Sequence, residues 1–307
     1  MADVISTRQF AAEQANRQLG RLAVQIARTV KCTGAGEVHD LRVCVRRFTQ
    51  VLVVLKACFP AGESRRIRRR LKKIMTQAGD VRNCDVALRL LGEPSCGATG
   101  ESIEHFRTQR ERAARTLTAS LKRWVRRGSS SKWRSDLLRG SASDGAPVEE
   151  AARRALPPMA KEYFERGKDA AAPDRTVEEL HAFRIAAKRL RYTVDLFAPV
   201  YGASLNGLRQ QLRGVQTLLG GVSDCATVRR MVARLGESQA VEAALARRQR
   251  RKTAEFRQHW AGVFSSAATV RLWVDRLRHA ANGAPPSRKP AARSVAARPV
   301  ARRAAGF

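Results

Sequence analysis

Acidic residues are scarce in this sequence of 307 residues, where 27 Asp and Glu stand against 59 Lys and Arg. The formal net charge is +32 at pH 7, and the isoelectric point is near 11.5. A surplus of this size repels itself and disfavours the compact state. It therefore predicts a polyanionic partner, for which the candidates are nucleic acid, an anionic membrane surface and a phosphate polymer.

Long apolar runs, a signal peptide and paired cysteines are also missing. The longest apolar stretches, such as VLVVLKACF at 51–59, are too short and interrupted to span a bilayer, so no membrane insertion is expected. The first twenty residues lack a basic segment followed by an apolar one, which predicts a cytoplasmic protein. The six cysteines form no CxxC pair and no metal-ligand spacing, so we expect a reducing compartment, no metal site and no cofactor.

Aromatic residues make up only 6% of the chain, and the period-two alternation of strands is rare. Apolar residues instead recur every three or four positions, which predicts an all-α fold. The predicted helices lie near 6–31, 37–59, 63–78, 81–91, 100–127, 148–171, 176–199, 203–219, 223–235, 238–260 and 264–280.

A Gly/Ser-rich segment divides the chain. We place a first half at about 1–127, a linker at 128–147 and a second half at about 148–280. Residues 281–307 are rich in Ala, Pro and Arg and contain no acid, which predicts a disordered basic tail. The tail has only six basic residues, so it does not explain the net charge.

An internal repeat is the strongest pattern in the sequence. VHDLRVCVRRF at 38–48 returns 142 residues later as LHAFRIAAKRL at 180–190. The matched basic residues of the first pair of helices are His39, Arg42, Arg46 and Arg47 with His181, Arg184, Lys188 and Arg189. On the helices that follow, Arg68 and Lys72 match Arg209 and Arg213. We therefore predict a duplicated helical unit whose two copies pack about a pseudo-two-fold axis, which brings equivalent faces together.

On each of these helices the matched basic residues form a row along one side, the basic row. It begins one position after a row of apolar residues, so the basic row borders the core. A half-buried cationic row with few acids nearby in sequence is costly unless an anion neutralises it, which favours a shared anion site. The alternative is that each row is a solvated helix face and each histidine a helix cap.

Signatures of catalysis are missing. His39–Asp40 suggests a metal-dependent phosphohydrolase, but the second copy has His181–Ala182 and no further ligand cluster accompanies either. No Gly-rich phosphate loop ending in Lys-Ser/Thr occurs. The sequence therefore predicts a binding protein and not an enzyme.

With both copies of the HxxRxxx(R/K)R pattern in order, residues 5–280 resemble the CHAD family, the conserved-histidine α-helical domain. The resemblance implies two four-helix bundles related by a pseudo-two-fold axis, with a basic cavity or groove between them that binds inorganic polyphosphate. A compatible hypothesis is residence on polyphosphate or storage granules, where the polyanion would hold the protein. The implied ligand residues are His39, Arg42, Arg46, Arg47, Arg68, Lys72, His181, Arg184, Lys188, Arg189, Arg191, Arg209 and Arg213. One departure is Asn83, since the family and this chain's own Asp224 have an acid there.

Nucleic acid, as RNA or non-specifically bound DNA, is the alternative ligand. The net charge and the basic tail favour it. The shortage of aromatic residues disfavours it, because single-strand platforms stack bases on aromatic rings.

Overall fold

The computed structural model describes residues 5–139 and 145–279. Within them the fold is all-α, as predicted, with no strand and a single isolated bridge from Ser6 to Pro147. The α-helices are α1 (Thr7–Lys31), α2 (Ala35–Val54), α3 (Ala61–Leu91), α4 (Gly100–Arg126), α5 (Ser129–Leu138), α6 (Val148–Ala171), α7 (Val177–Tyr201), α8 (Asn206–Ala233), α9 (Gln239–Phe264) and α10 (Ala267–Arg278). None of the described helices is long and apolar enough to cross a membrane. The predicted tail, 281–307, lies outside the described residues.

Two helices are longer than the sequence predicts. The predicted pair 63–78 and 81–91 is the single helix α3, and the pair 203–219 and 223–235 is the single helix α8. The glycines at these breaks are poor helix formers. Packing overrides them, because Ala78 and Val81 beside the break in α3 are fully buried.

Helix α5 lies within the predicted linker, where the sequence predicts no helix. Its Trp133 is 2% exposed and stacks on Phe48 of α2, with ring centroids 6.4 Å apart. Asp136, 5% exposed, forms an ion pair with Arg66 of α3. Since α5 packs on α1, α3 and α4, residues 129–138 belong structurally with the first half.

Helices that match in the repeat lie against one another, α2 on α7 and α3 on α8. Across α2 and α7, Gln50 Nε2 donates a hydrogen bond of 2.8 Å to Thr193 Oγ1. A single main core runs through both halves, and Phe10 of α1 stacks on Phe197 of α7 at 5.8 Å. The pseudo-two-fold axis stays a prediction, and these matched contacts are what such an axis requires.

Candidate anion-binding site

The core fixes the position of the basic rows. On α2 Leu41 is fully buried and the next residue, Arg42, is half-buried. On α7 Phe183 is buried and Arg184 is half-buried in the same way. Because successive helical residues are rotated by about 100°, each basic row emerges at the edge of the apolar face. The α2–α7 contact turns these edges toward each other.

A cavity of about 570 Å³, the central cavity, lies among α2, α3, α7, α8 and α9. Five of the predicted ligand residues line it: His39, Arg42, Arg46, His181 and Arg184. Asp224 is the only carboxylate among the described residues that line it, and it lies 3.4 Å from Arg89. The cavity therefore gathers basic residues from both copies of the repeat around very little negative charge.

The arginines at the centre of this cavity form no ion pair in the described residues, although Asp224 lies near enough to raise the pKa of Arg184. Arg42 donates a hydrogen bond of 3.1 Å to the Met75 carbonyl oxygen. Neither Arg42, Arg46 nor Arg184 forms an ion pair in the described part of the chain. The Nε of Arg184 is buried without an acceptor. A buried guanidinium N–H without an acceptor is costly, so an anion in the cavity would relieve it.

Burial and mutual repulsion lower the pKa values of the cationic groups. Burial, followed by the nearby Arg46, lowers the pKa of Arg42 to about 10, so this residue stays charged at neutral pH. Burial, followed by Arg184, lowers the pKa of Lys188 to about 6. Asp224 opposes this effect on Lys188 only weakly. An anion that entered the cavity would raise these values again.

The two histidines are matched in position. His39 is the fifth residue of α2 and His181 the fifth of α7, and both are exposed at the cavity mouth. They are not helix caps, since the N-cap residues are Gly34 and Thr176. Burial and the neighbouring arginines lower the pKa of each histidine below its ordinary value.

Two glycines that match in the repeat lie beside the central arginines. A Cβ atom at Gly79 of α3 would lie 3.0 Å from Nη1 of Arg42. A Cβ atom at Gly220 of α8 would lie 4.0 Å from Nη2 of Arg184. A side chain at position 79 would therefore crowd the Arg42 guanidinium, whereas the 4.0 Å at Gly220 is an ordinary van der Waals contact.

A second cavity of about 560 Å³, the adjoining cavity, lies beside the first, and Arg46 lines both. The predicted residues that line it are Arg46, Arg68, Lys72, Lys188 and Arg189. Tyr192 is its only aromatic residue. The two cavities together form a cationic surface that reaches from the histidines along α3.

Four predicted ligand residues, Arg47, Arg191, Arg209 and Arg213, line neither cavity. Arg209 Nε lies 2.9 Å from Asp195 Oδ1 in an ion pair across the α7–α8 turn. The guanidinium of Arg191 lies 4.7 Å from the ring centroid of Tyr192.

Sequence reasoning missed several cations that line the two cavities: Arg65, Arg69, Arg82, Arg89, Arg248 and Lys252. Arg82 directly follows the buried Val81. The pattern in which each basic residue follows a buried apolar residue would therefore have identified it. The repeat hid it, because Ser223 holds the matching position. Arg248 and Lys252 lie on α9, outside the repeated motif, and nothing in the sequence indicates their role.

Asn83 also lines the central cavity. Its counterpart Asp224 pairs with Arg89, whereas Arg230, which lies 141 residues after Arg89, has no carboxylate partner in the described residues. The neutral Asn83, which stands where Asp224 stands in the second half, therefore leaves one more cation, Arg230, without a carboxylate partner. No group of three or more His, Cys, Asp or Glu that could hold a metal ion occurs in 5–139 or 145–279.

The family model of the CHAD domain matches residues 13–233. The chain belongs to the CHAD domain family. The fold is similar to the CHAD domain from the plant Ricinus communis, with a TM-score of 0.65 and 18% identity over 90% of this chain and 93% of that one. It is also similar to PptA from Streptomyces chartreusis, with a TM-score of 0.59 and 17% identity over 83% of this chain and 99% of that one. No curated protein matches the sequence. The CHAD match includes every residue that lines the two cavities except Arg248 and Lys252.

Proposed function

We propose that this CHAD domain protein binds inorganic polyphosphate in the central and adjoining cavities and catalyses no reaction on it. The observation that carries the proposal is the cluster of half-buried arginines without acidic partners, centred on Arg42, Arg46 and Arg184. Membership of a family associated with polyphosphate binding supports the same ligand.

The chemistry of the site suits a phosphate polymer. Polyphosphate presents a close row of charged oxygens and no base faces. Guanidinium groups bind such oxygens with paired hydrogen bonds, whereas lysines act as point charges. Tyr192 is the one aromatic residue among the described residues that line the two cavities. A single-stranded nucleic acid would need more aromatic surface than this for stacking.

The non-enzymatic assignment is supported by the lining of the central cavity, in which Asp224 is the one carboxylate among the described residues and is already paired with Arg89. We therefore assign the site to capture of the polymer, and we extend the proposal to residence on polyphosphate or storage granules in the cytoplasm.

Competition between ligands tests the proposal. Labelled RNA bound to the protein should be displaced by polyphosphate at a much lower phosphate concentration than RNA needs to displace polyphosphate. The polymer recovered from the mixture should keep its length. The reverse order of displacement would favour the nucleic-acid alternative, and shortening of the polymer would refute the non-enzymatic assignment.

A further inference from the structure

A third basic cavity, the outer pocket, lies on the first half among α3, α4 and α5 and has a volume of about 260 Å³. Four exposed cations line it: Arg70, Lys73, Arg123 and Arg127. No acidic residue lines the pocket, and none of the four cations forms an ion pair in the part of the chain that the structure describes. The outer pocket thus gathers four exposed cations with no carboxylate among the described residues that line it.

Neutral hydrogen-bond donors also lie beside the outer pocket. Trp124 lines the pocket, is 8% exposed, and its Nε1–H is buried without an acceptor. Ser129 lines it too and is the first residue of α5. The N-cap of α5 is Gly128, which offers no side-chain acceptor to the first-turn N–H groups. A helix N-terminus of this kind carries partial positive charge and favours an anion.

The outer pocket is not part of the repeated site. The residues 141 positions after Arg70 and Lys73 are Gln211 and Gly214, which carry no charge. At Gly214 the ring of His259 fills the space, 3.0 Å from where a Cβ atom would lie. The cluster of cations around this pocket is therefore peculiar to the first half.

Helix α3 connects the outer pocket to the adjoining cavity. Arg69 and Lys72 line the adjoining cavity, and the residues directly after them, Arg70 and Lys73, line the outer pocket. All four are exposed, and each step of one residue turns about 100° around the helix. A flexible polyanion that leaves the adjoining cavity can thus pass over the solvent side of α3 without meeting a carboxylate.

We propose that the outer pocket holds phosphate groups of a long polyphosphate chain whose remainder occupies the central and adjoining cavities. This inference rests on the proposed function. It assigns to the first half a second contact that only chains long enough to cross α3 can use, so the protein prefers long polymers over short ones.

Charge reversal in the outer pocket tests the inference. The variant R123E/R127E should bind long-chain polyphosphate about tenfold more weakly, which is about 1.4 kcal/mol. It should bind a short polyphosphate that fits within the two inner cavities as tightly as the matched control R247E/R250E. The control changes the same charge at two exposed arginines of α9 that have no ion pair in the described residues. Circular dichroism should show equal helicity for both variants.

The indole N–H of Trp124 provides a direct measurement. Its resonance in a proton–nitrogen correlation spectrum, assigned with the variant W124F, should shift when long-chain polyphosphate is added and should not shift in R123E/R127E. A stationary resonance, or equal long-chain affinity in R123E/R127E and R247E/R250E, would overturn the inference while leaving the proposed function intact. Loss of RNA affinity alone in R123E/R127E would assign the pocket to nucleic acid and would also overturn it. A wild-type protein that binds neither length of polyphosphate would overturn the proposed function and this inference together.

Discussion

Three arginines of the central cavity, Arg42, Arg46 and Arg184, form no ion pair in the described residues, whereas Arg89 pairs with Asp224 and Arg248 with Glu93. Burial, followed by Arg46, lowers the pKa of Arg42. Burial also lowers the pKa of Arg184, where the nearby Asp224 opposes the effect and Arg46 adds to it. Holding such a cluster half-buried costs free energy that an incoming anion recovers. This cost is the residue-level reason to expect a tightly bound polyanion.

Binding should depend on pH through Lys188 and the two histidines. Their pKa values are lowered in the free protein, to about 6 for Lys188, and a bound polyanion would raise them. Affinity should therefore be highest below about pH 6. The affinity should fall as the pH rises through the raised pKa values of the bound state, by up to about tenfold per pH unit for each group that titrates. Titrations of long-chain polyphosphate at constant ionic strength and varied pH would measure this.

The triple variant H39Q/H181Q/K188M removes all three titrating groups. It should bind more weakly than the wild type at low pH, and its affinity should be nearly independent of pH. The double variant H39Q/H181Q should keep the part of the pH dependence that is due to Lys188. If the triple variant retained the full pH dependence of the wild type, the assignment of these three groups to the site would be wrong.

At the residue scale, the repeat predicts the site better than charge alone does. Nine of the thirteen residues implied by the family resemblance line the two cavities. Arg209 could not be excluded from sequence, because its partner Asp195 lies fourteen residues earlier on another helix. Arg82 was missed because its matching position in the second half is Ser223. A comparison of the two halves identifies only the cations that both halves share.

Among the helices, apolar periodicity predicts the core well and helix ends less well. The apolar residues that recur every three or four positions on α3, namely Ile67, Leu71, Ile74, Ala78 and Val81, are all buried. The predicted helix 37–59 instead ends at Val54, and a short 3₁₀ turn, Lys56–Cys58, follows before Pro60. Local propensity could not predict α5, because its serines and the flanking Gly128 resemble a loop, and only contacts with distant helices make it a helix.

Helix α5 should contribute strongly to stability. Trp133 packs between Phe48 and Trp124, at centroid distances of 6.4 and 5.7 Å. Replacing Trp133 by Ala should lower the free energy of unfolding by about 3–5 kcal/mol, measured by urea denaturation. The control L138A changes a residue of the same helix that is 45% exposed, and it should cost much less. Equally small losses of stability in the Trp133→Ala and L138A variants would mean that α5 does not share the core of the first half.

For the whole molecule, most of the charge surplus lies outside the tail. Deleting residues 281–307 removes six basic residues and none of the repeated motif. Polyphosphate affinity should change by less than about tenfold, or 1.4 kcal/mol, while non-specific association with nucleic acid should weaken. Filter binding with both ligands would test this, and a larger loss of polyphosphate affinity would mean that the cavities are not the main site.

The central claim is that arginines from both copies of the repeat bind one polyanion between the halves. The most direct measurement compares R42E/R184E with R17E/R21E, which changes the same charge at two exposed arginines of α1 that line none of the described cavities. In titrations with polyphosphate over a range of salt concentrations, R42E/R184E should lose at least about 100-fold in affinity, or 2.7 kcal/mol, and should show a shallower salt dependence. R17E/R21E should bind nearly as the wild type does, with equal helicity in both variants. Equal affinities of the two variants would contradict the account, because binding would then follow net charge and not the cavity.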